Sequence, residues 1–208
     1  MPASFAYATA QEYRANTGKS DGGDDPLISR HLETVSRLID SLTGQYFGRD
    51  EEAVARVFKA KWSDRLDLTY EGNCPGIADI TDLAIKVDTD DDGDFADETA
   101  WSAGDYELLP RQALQGSEPK PYTRIETPRR SSKRFSPGAL VEVTAIFGWP
   151  AVPEGIWAET IELCGIWRGE NPRATGRMAE LDEVVSTSPM AMSLVKRIRE
   201  AYGSMVTF

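Results

Sequence analysis

The amino-acid sequence predicts an α+β fold in which long amphipathic helices form a scaffold, an antiparallel β domain is inserted, and a C-terminal docking helix follows. Three observations predict this class. Apolar residues recur at helical spacing over residues 27–46, about a hundred residues with strand-like alternation follow, and helical spacing returns after Pro153. Helices grouped on either side of a run of strands are typical of α+β domains rather than of alternating α/β domains.

Four segments follow from this order of elements. We expect an N-terminal helical part at residues 1–52 and a β insertion at residues 53–148. A scaffold helix with a polar connector occupies residues 149–187, and a C-terminal helix with its tail occupies residues 188–208.

The N-terminal part contains two predicted helices. A short one, residues 10–16, is capped by Thr9 and ended by Gly18. The long one begins with Asp25 as its cap and Pro26 at its first position, and glycines 44 and 48 end it. Its apolar residues fall on one face at steps of three and four: Leu27, Ile28, Leu32, Val35, Leu38, Ile39, Leu42 and Tyr46.

The middle of the chain reads as strands separated by turn residues. Alternating patterns predict six strands, at residues 54–62, 66–70, 80–87, 100–108, 122–126 and 140–147. The last one alternates most regularly, since Val141, Val143, Ala145 and Phe147 share one face. An antiparallel sheet with one buried face is the expected result.

Helical spacing returns in the C-terminal part. The first helix has a broad apolar face made of Ile156, Trp157, Thr160, Ile161, Cys164 and Trp167. Residues 169–187 are polar and contain glycine and proline, so we expect them to be irregular. A final helix begins at Ser188 and Pro189, with Met190, Leu194, Val195, Ile198 and Tyr202 on one side.

Composition limits the classes of function. The formal net charge of −11 repels nucleic-acid phosphates on average, which argues against a general DNA-binding protein. No apolar segment approaches the ~20 residues needed to cross a bilayer, and the N-terminus lacks the pattern of a signal peptide. The two cysteines have no metal or redox spacing, so we expect reduced thiols in a soluble cytoplasmic chain.

Catalytic motifs are missing from the sequence. His31 is the only histidine and lies beside the apolar stripe of the long helix, where a structural role is expected. With one histidine in a structural role, a catalytic Ser-His-Asp or Cys-His arrangement is not expected. No Walker loop, dinucleotide fingerprint or HExxH motif occurs in the sequence. We predict a protein that is not an enzyme and has no cofactor. A hydrolase using a carboxylate pair stays open, because acidic residues are abundant.

An aspartate-rich segment beginning at Asp88 is the strongest local signal of chemistry. Its sequence DTDDDG fits the opening of a calcium loop, in which alternate carboxylates converge on a hard cation. The twelfth position is Thr99 rather than glutamate, with Glu98 one place short, and the flanks read as strands. A plain hairpin loop is therefore favoured over a metal site, and a weak calcium-binding turn is the alternative.

A basic cluster stands out in this acidic chain. It consists of Arg124, Arg129, Arg130, Lys133 and Arg134. It is either a solvated hairpin loop or a contact with an acidic neighbour or with DNA phosphates. We hypothesise that Arg129, Arg130 and Arg134 of one copy pair with Asp90 and Asp92 of the next, since contacts that close a ring join two different surfaces.

The final helix has two interpretations. It could close the chain's own core, or it could dock on another protein, because a long polar segment separates it from the preceding helix. We favour docking on another protein. Docking requires that a single copy leaves the apolar face of this helix uncovered.

Two short motifs carry a family resemblance. Residues 105–110 read DYELLP, and residues 147–153 read FGWPAVP and lead into a helix. Together with the order of helix, aspartate-rich hairpin and terminal helix, they resemble the head–tail connector (adaptor) proteins of tailed bacteriophages and related gene transfer particles. The resemblance covers most of residues 26–202.

The resemblance implies a structural role in the neck of a virion assembled in a host cytoplasm. Such adaptors form a ring, usually of twelve copies, beneath the portal protein, extend the DNA channel, and present a surface to a stopper or tail protein. DNA passes without sequence-specific binding, and no membrane is involved. The resemblance assigns portal binding to the C-terminal segment, here Met190, Leu194, Ile198, Tyr202 and Phe208. A stopper or tail-completion protein and a calcium-dependent binding module are the alternatives.

Overall fold

The structure, a computed structural model, confirms the α+β class. It describes residues 6–18, 22–69, 74–170 and 177–202. These residues form five helices and two antiparallel three-stranded sheets. The chain divides into two compact units: a helical unit made of Met1–Gln45 with Val152–Phe208, and a β unit, Tyr46–Ala151. Among the described residues, no helix is both long enough and apolar enough to cross a bilayer.

The helical unit is built from two separate stretches of chain. Its helices are α1 (Ala10–Thr17), α2 (Asp25–Thr43), α3 (Glu154–Glu170), α4 (Met178–Thr187) and α5 (Pro189–Tyr202). Helix α2 packs against α1, α3 and α5, and α4 packs mainly on α5. The core is formed by buried residues from all five helices, among them Tyr13, Ile28, Leu32, Val35, Ile39, Ile156, Leu163, Trp167, Leu181, Leu194 and Ile198.

The N-terminal helices confirm most of the predicted boundaries. Thr9 and Glu12 form the capping box of α1, and Gly18 ends it in the left-handed conformation, with φ of 69°. Helix α2, however, begins one residue earlier than predicted, because the backbone carbonyl of Asp24 accepts the first intrahelical bond, 2.9 Å from the Ile28 amide. Gly44 ends α2, so Tyr46 lies beyond it.

Helix α4 corrects the prediction that residues 178–187 are irregular. Leu181 and Val184 are buried at a helical spacing of three, and they pack in the helical unit. The remaining positions are mostly charged or small, so the apolar stripe of this helix is narrow. Its stability depends on packing against a neighbouring helix rather than on its own pattern.

Helix α5 is present as predicted, but its apolar face is not free. Leu194 is 0% exposed and Ile198 is 1% exposed, and the helix packs on α2, α3 and α4 of the same chain. Met190, predicted on the same side, is instead 64% exposed. The expectation that a single copy leaves this apolar face uncovered is therefore wrong, and α5 completes the core of the helical unit.

The β unit contains two small sheets. The strands are β1 (Val54–Lys59), β2 (Arg65–Asp67), β3 (Ile77–Val87), β4 (Glu107–Leu109), β5 (Arg124–Glu126) and β6 (Leu140–Phe147). The first sheet has the order β1-β6-β3 and the second has the order β2-β5-β4. Their shared core includes Phe58, Leu66, Ile85, Trp101, Ile125, Phe135, Val143 and Phe147.

Strands β1, β2 and β5 are shorter than predicted, and two other predicted strands differ more from the observed ones. Residues 100–106 are a loop rather than a strand, because a turn joins the Asp105 amide to the Ser102 carbonyl at 2.8 Å. Strand β3 begins at Ile77, three residues earlier than predicted, and its pairing with β6 shifts between Asp79 and Ala84. Strand β6 matches its prediction, with alternate residues from Val141 to Phe147 buried.

Substitutions in α5 should separate core residues from surface residues. Leu194→Ala leaves a cavity in the helical unit and should lower its free energy of unfolding by about 2–5 kcal/mol. Met190→Ala, on the same helix but exposed, should change it by less than about 0.5 kcal/mol. Urea unfolding followed by helical circular dichroism measures both, and equal effects would contradict the burial of α5.

The carboxyl group of Asp40 should make stability depend on pH. The Tyr7 hydroxyl donates to Asp40, and Arg37 lies 3.0 Å from it, yet burial raises the pKa of Asp40 from 3.8 to about 6. Because the folded pKa is the higher one, this contribution to stability is complete below the unfolded value and is lost as pH rises through about 6. Asp40→Asn keeps an acceptor for Tyr7 and should abolish that loss.

Thermal unfolding at several pH values on both sides of this window tests the expectation. Wild type should lose stability relative to Asp40→Asn as pH rises, whereas Asp182→Asn, an exposed carboxylate in the same unit, should follow wild type. Parallel curves for wild type and Asp40→Asn would show that the Asp40 carboxyl does not contribute.

Candidate interaction surfaces

His31 has a structural environment in the helical unit. It is 1% exposed, and its ring lies 4.4 Å from the Trp167 ring. Its Nδ1 is 3.2 Å from the Arg168 guanidinium, which also pairs with Asp24 at 3.0 Å. A histidine enclosed by an aromatic ring and a cation is held in the core and is not accessible to a substrate.

The aspartate-rich segment is organised by Asp88, whose buried carboxylate accepts two backbone hydrogen bonds. The amide of Asp91 donates to it at 2.7 Å, and that of Gly93 donates at 3.0 Å. Asp91 and Gly93 both have positive φ, of 63° and 77°. The carboxylate of Asp88 therefore satisfies local backbone groups, as expected of a plain loop. The segment is not a β-hairpin as predicted, however, because β3 pairs with β6 and the next strand, β4, belongs to the other sheet.

A possible metal site lies in the same segment. Carboxylate oxygen atoms of Asp88, Asp90 and Glu98 lie within 4.8 Å of one another. Glu98 also accepts hydrogen bonds from the Thr89 amide and hydroxyl, at 2.6 and 2.8 Å. Loss of hydration, followed by the neighbouring charges of Asp92 and Asp97, raises the pKa of Asp90. Three converging carboxylate oxygens suit a hard cation. Glu98 supplies one of these oxygens, although its sequence position departs from the calcium-loop pattern.

The basic cluster divides into paired and unpaired residues. Arg124 lies in β5 and pairs with Asp67 at 2.7 Å and with Glu126 at 3.3 Å, and these contacts raise its pKa. Arg134 donates to the backbone carbonyls of Ser131 and Lys133. Arg129 and Arg130 are exposed and make no ion pair with any residue that the structure describes. Among the arginines of the cluster, these two are available for a partner.

The residues to which the resemblance assigns portal binding are not on one surface. Met190 is exposed, Leu194 and Ile198 are core residues, and Tyr202 is half-buried. The backbone carbonyl of Tyr202 accepts a hydrogen bond from the Gln45 side chain at 2.9 Å. Phe208 lies outside the described residues.

A groove that no sequence pattern indicated lies between α4 and α5. Its volume is about 410 Å³, and it is lined by Val185, Met192, Val195, Lys196, Arg199 and Glu200. Because residues 178–187 were expected to be irregular, one wall of the groove could not be anticipated. Met192 was visible in the sequence as an apolar residue off the main stripe of α5, and it is 45% exposed.

The FGWPAVP motif begins at a close backbone contact in the β unit. Gly148 has a φ of 128°, and a Cβ there would lie 2.3 Å from the Arg49 Cα and from the Gly48 carbonyl oxygen. The Trp149 ring packs 5.4 Å from that of Phe47. Only glycine satisfies both the conformation and the space, so this part of the motif is explained by structure.

Comparison with solved structures finds chains from gene transfer agent (GTA) particles. A chain in "Neck of empty GTA particle computed with C6 symmetry" is 21% identical, with 91% of this chain and 87% of that chain covered and a TM-score of 0.49. A chain in "Neck of native GTA particle computed with C12 symmetry" is also 21% identical, with 91% and 86% covered and a TM-score of 0.46. Since both TM-scores are below 0.5, this likeness does not by itself establish a shared function. No family profile and no curated protein matches the chain.

Calcium titration separates the two interpretations of the aspartate-rich segment. Because the hydrogen bonds within the loop account for its geometry, we expect calorimetry of the purified protein to show absent or millimolar binding. The Asp90→Asn variant, which removes one of the three converging carboxylates, provides the control. Micromolar binding that Asp90→Asn abolishes would instead establish a calcium site.

Proposed function

We propose that this chain is a structural, non-enzymatic neck protein of a phage-like particle, in which it forms an adaptor ring between the portal and the stopper or tail. The observation that carries the proposal is the order of elements and motifs along the chain. Helices before residue 46 and after residue 151 make one unit, the strands between them make another, and the FGWPAVP motif spans the return to the helices.

The environment of His31 supports a role without catalysis. It is the only histidine, and it is enclosed in the core beside Trp167 and Arg168. A neck subunit needs interaction surfaces rather than a reactive site. The chain has exposed apolar and charged side chains that could form such surfaces, among them Met190, Met192, Ile80, Arg129 and Arg130.

Portal binding is proposed for the exposed end of α5 and the tail. Leu194 and Ile198 stabilise the helical unit from within, so they are removed from the surface assigned by the resemblance. Met190 remains, because its flexible apolar side chain is exposed at the start of α5, and methionine adapts to partner surfaces. Phe208 in the C-terminal tail is retained as part of the proposal.

Contacts between copies are proposed at the charged loops of the β unit. Arg129 and Arg130 are exposed cations without ion pairs among the described residues, and Asp90 and Asp92 are exposed carboxylates. Pairing them between neighbouring copies would join two different surfaces, as a ring requires. Arg134 is not included in this proposed pairing, because its guanidinium donates hydrogen bonds to backbone carbonyls in its own loop.

The net charge of −11 suits a channel through which DNA passes. Weak average repulsion of phosphates disfavours adhesion of the duplex to the wall.

A calcium-dependent binding module is the second candidate function. The observation in its favour is the convergence of Asp88, Asp90 and Glu98 within 4.8 Å. The hydrogen bonds that Asp88 and Glu98 already accept explain the same geometry without a metal ion. The neck role is therefore preferred.

Portal binding tests the proposed function directly. Wild-type protein should co-sediment with purified portal rings, and imaging of particles that carry an N-terminally labelled chain should show the label at the neck. Met190→Asp places a charge on the proposed portal surface and should weaken co-sedimentation by about tenfold. Met178→Asp, the same change at an exposed methionine of α4, is the control and should bind normally. A label absent from the neck would overturn the proposal.

A further inference from the structure

The groove between α4 and α5 is lined by apolar residues and by a net positive charge. Its apolar lining consists of Val185, Met192 and Val195, of which Met192 is 45% exposed and Val195 is buried. Two cations and one carboxylate surround it. Lys196 lies 3.8 Å from Glu200, whereas Arg199 makes no ion pair with any described residue. In a chain with a net charge of −11, this groove favours an acidic and apolar occupant.

A protrusion with the opposite properties occurs on strand β3. Four residues of β3, numbers 80–83, stand opposite a single residue of β6, Ala145, so the strand must bulge outward. Ile80 within the bulge is 45% exposed, and Asp82 is exposed with no hydrogen bond or ion pair from its side chain among the described residues. We name residues 79–83 the Ile80 bulge.

The Ile80 bulge is held in shape by its own hydrogen bonds. Asp79 Oδ1 accepts from the Thr81 amide at 2.9 Å and from the Thr81 hydroxyl at 2.7 Å. These bonds keep the pKa of Asp79 below its usual value, so the bulge is negatively charged at neutral pH. A segment already fixed in one conformation loses little conformational entropy when it binds.

We propose that the Ile80 bulge of one copy binds in the α4–α5 groove of a neighbouring copy, with Ile80 against the apolar lining residues and Asp82 paired with Arg199. The charges match, because the Asp82 carboxylate and the Arg199 guanidinium each lack an ion pair within the described part of the chain. The apolar surfaces match as well, since Ile80 and Met192 are each 45% exposed and would cover one another. This inference rests on the proposed function, which requires a ring, and it identifies a contact that would build one.

The contact is heterologous, which distinguishes it from a symmetric dimer. Each copy presents one bulge and one groove, so a copy can bind one neighbour through each, and a closed ring results if the rotation between copies closes. A symmetric pairing of two grooves would place Lys196 and Arg199 of one copy against the same residues of the other. Like charges at such short range disfavour that arrangement.

Cross-linking of mixed single-cysteine variants tests the contact. In a Cys74→Ser background, where the remaining Cys164 is buried, one preparation carries Ile80→Cys and another carries Met192→Cys. A short bis-maleimide should join the two only in the mixture, and it should produce a ladder of oligomers from a chain that carries both cysteines. Cross-linking of either single variant with itself, or none in the mixture, would overturn the proposal. A double variant that cross-links only within one chain would do the same.

A charge swap provides an independent measurement. Arg199→Glu or Asp82→Lys alone should weaken self-association, measured by sedimentation velocity, by about tenfold. The variant with both changes should recover to within about threefold of wild type, because the pair is restored with reversed signs. Glu118→Lys, at an exposed carboxylate elsewhere in the β unit, is the control and should associate like wild type.

The two proposals fail in distinguishable ways. A chain that is found at the neck but shows neither the mixed cross-link nor recovery by the charge swap would overturn this contact and leave the neck role intact. A chain that passes both tests but is absent from necks would overturn the neck role alone. If Arg199→Glu abolishes portal binding and leaves self-association unchanged, the groove belongs to the portal and the proposal is wrong.

Discussion

The fold depends on bringing together two stretches of chain that the β unit separates. Helix α2 comes before that unit, and α3 and α5 come after it, yet they share one core. The contact between the tilted rings of His31 and Trp167 and the hydrogen bond from Gln45 to the Tyr202 carbonyl both join the two stretches. Because neither stretch buries its apolar face alone, the helical unit can form only when the intervening strands allow its halves to meet.

Several elements could be predicted from the sequence because local periodicity decides them. Helix α2 has a broad apolar stripe ended by Gly44, and β6 alternates without interruption from Val141 to Phe147. Helix α4 could not be predicted, because only Leu181 and Val184 are buried and the helix depends on its contact with α5. In residues 100–106 the alternation was misleading, since the turn between Ser102 and Asp105 determines the path of the backbone.

The surfaces were harder to predict than the elements. A sequence shows that α5 has an apolar stripe, but it does not show which surface covers that stripe. Leu194 and Ile198 are buried in the chain's own core. A partner of α5 can therefore contact only its exposed residues, such as Met190. Likewise, the acidic and basic loops were visible as charge patterns, whereas the pairing of Arg124 with Asp67 across two strands depends on register.

The entry and exit of the β unit lie side by side. Arg49 bridges to Gly148, the Asp50 amide donates to the Phe147 carbonyl at 2.8 Å, and the Trp149 amide donates to the Gly48 carbonyl at 2.9 Å. An insert whose two ends meet replaces a short loop in its host at small entropic cost. The β unit thus has the geometry of an exchangeable cassette. Its sequence can be lengthened or exchanged between these two ends without changing how the flanking helices are joined to it.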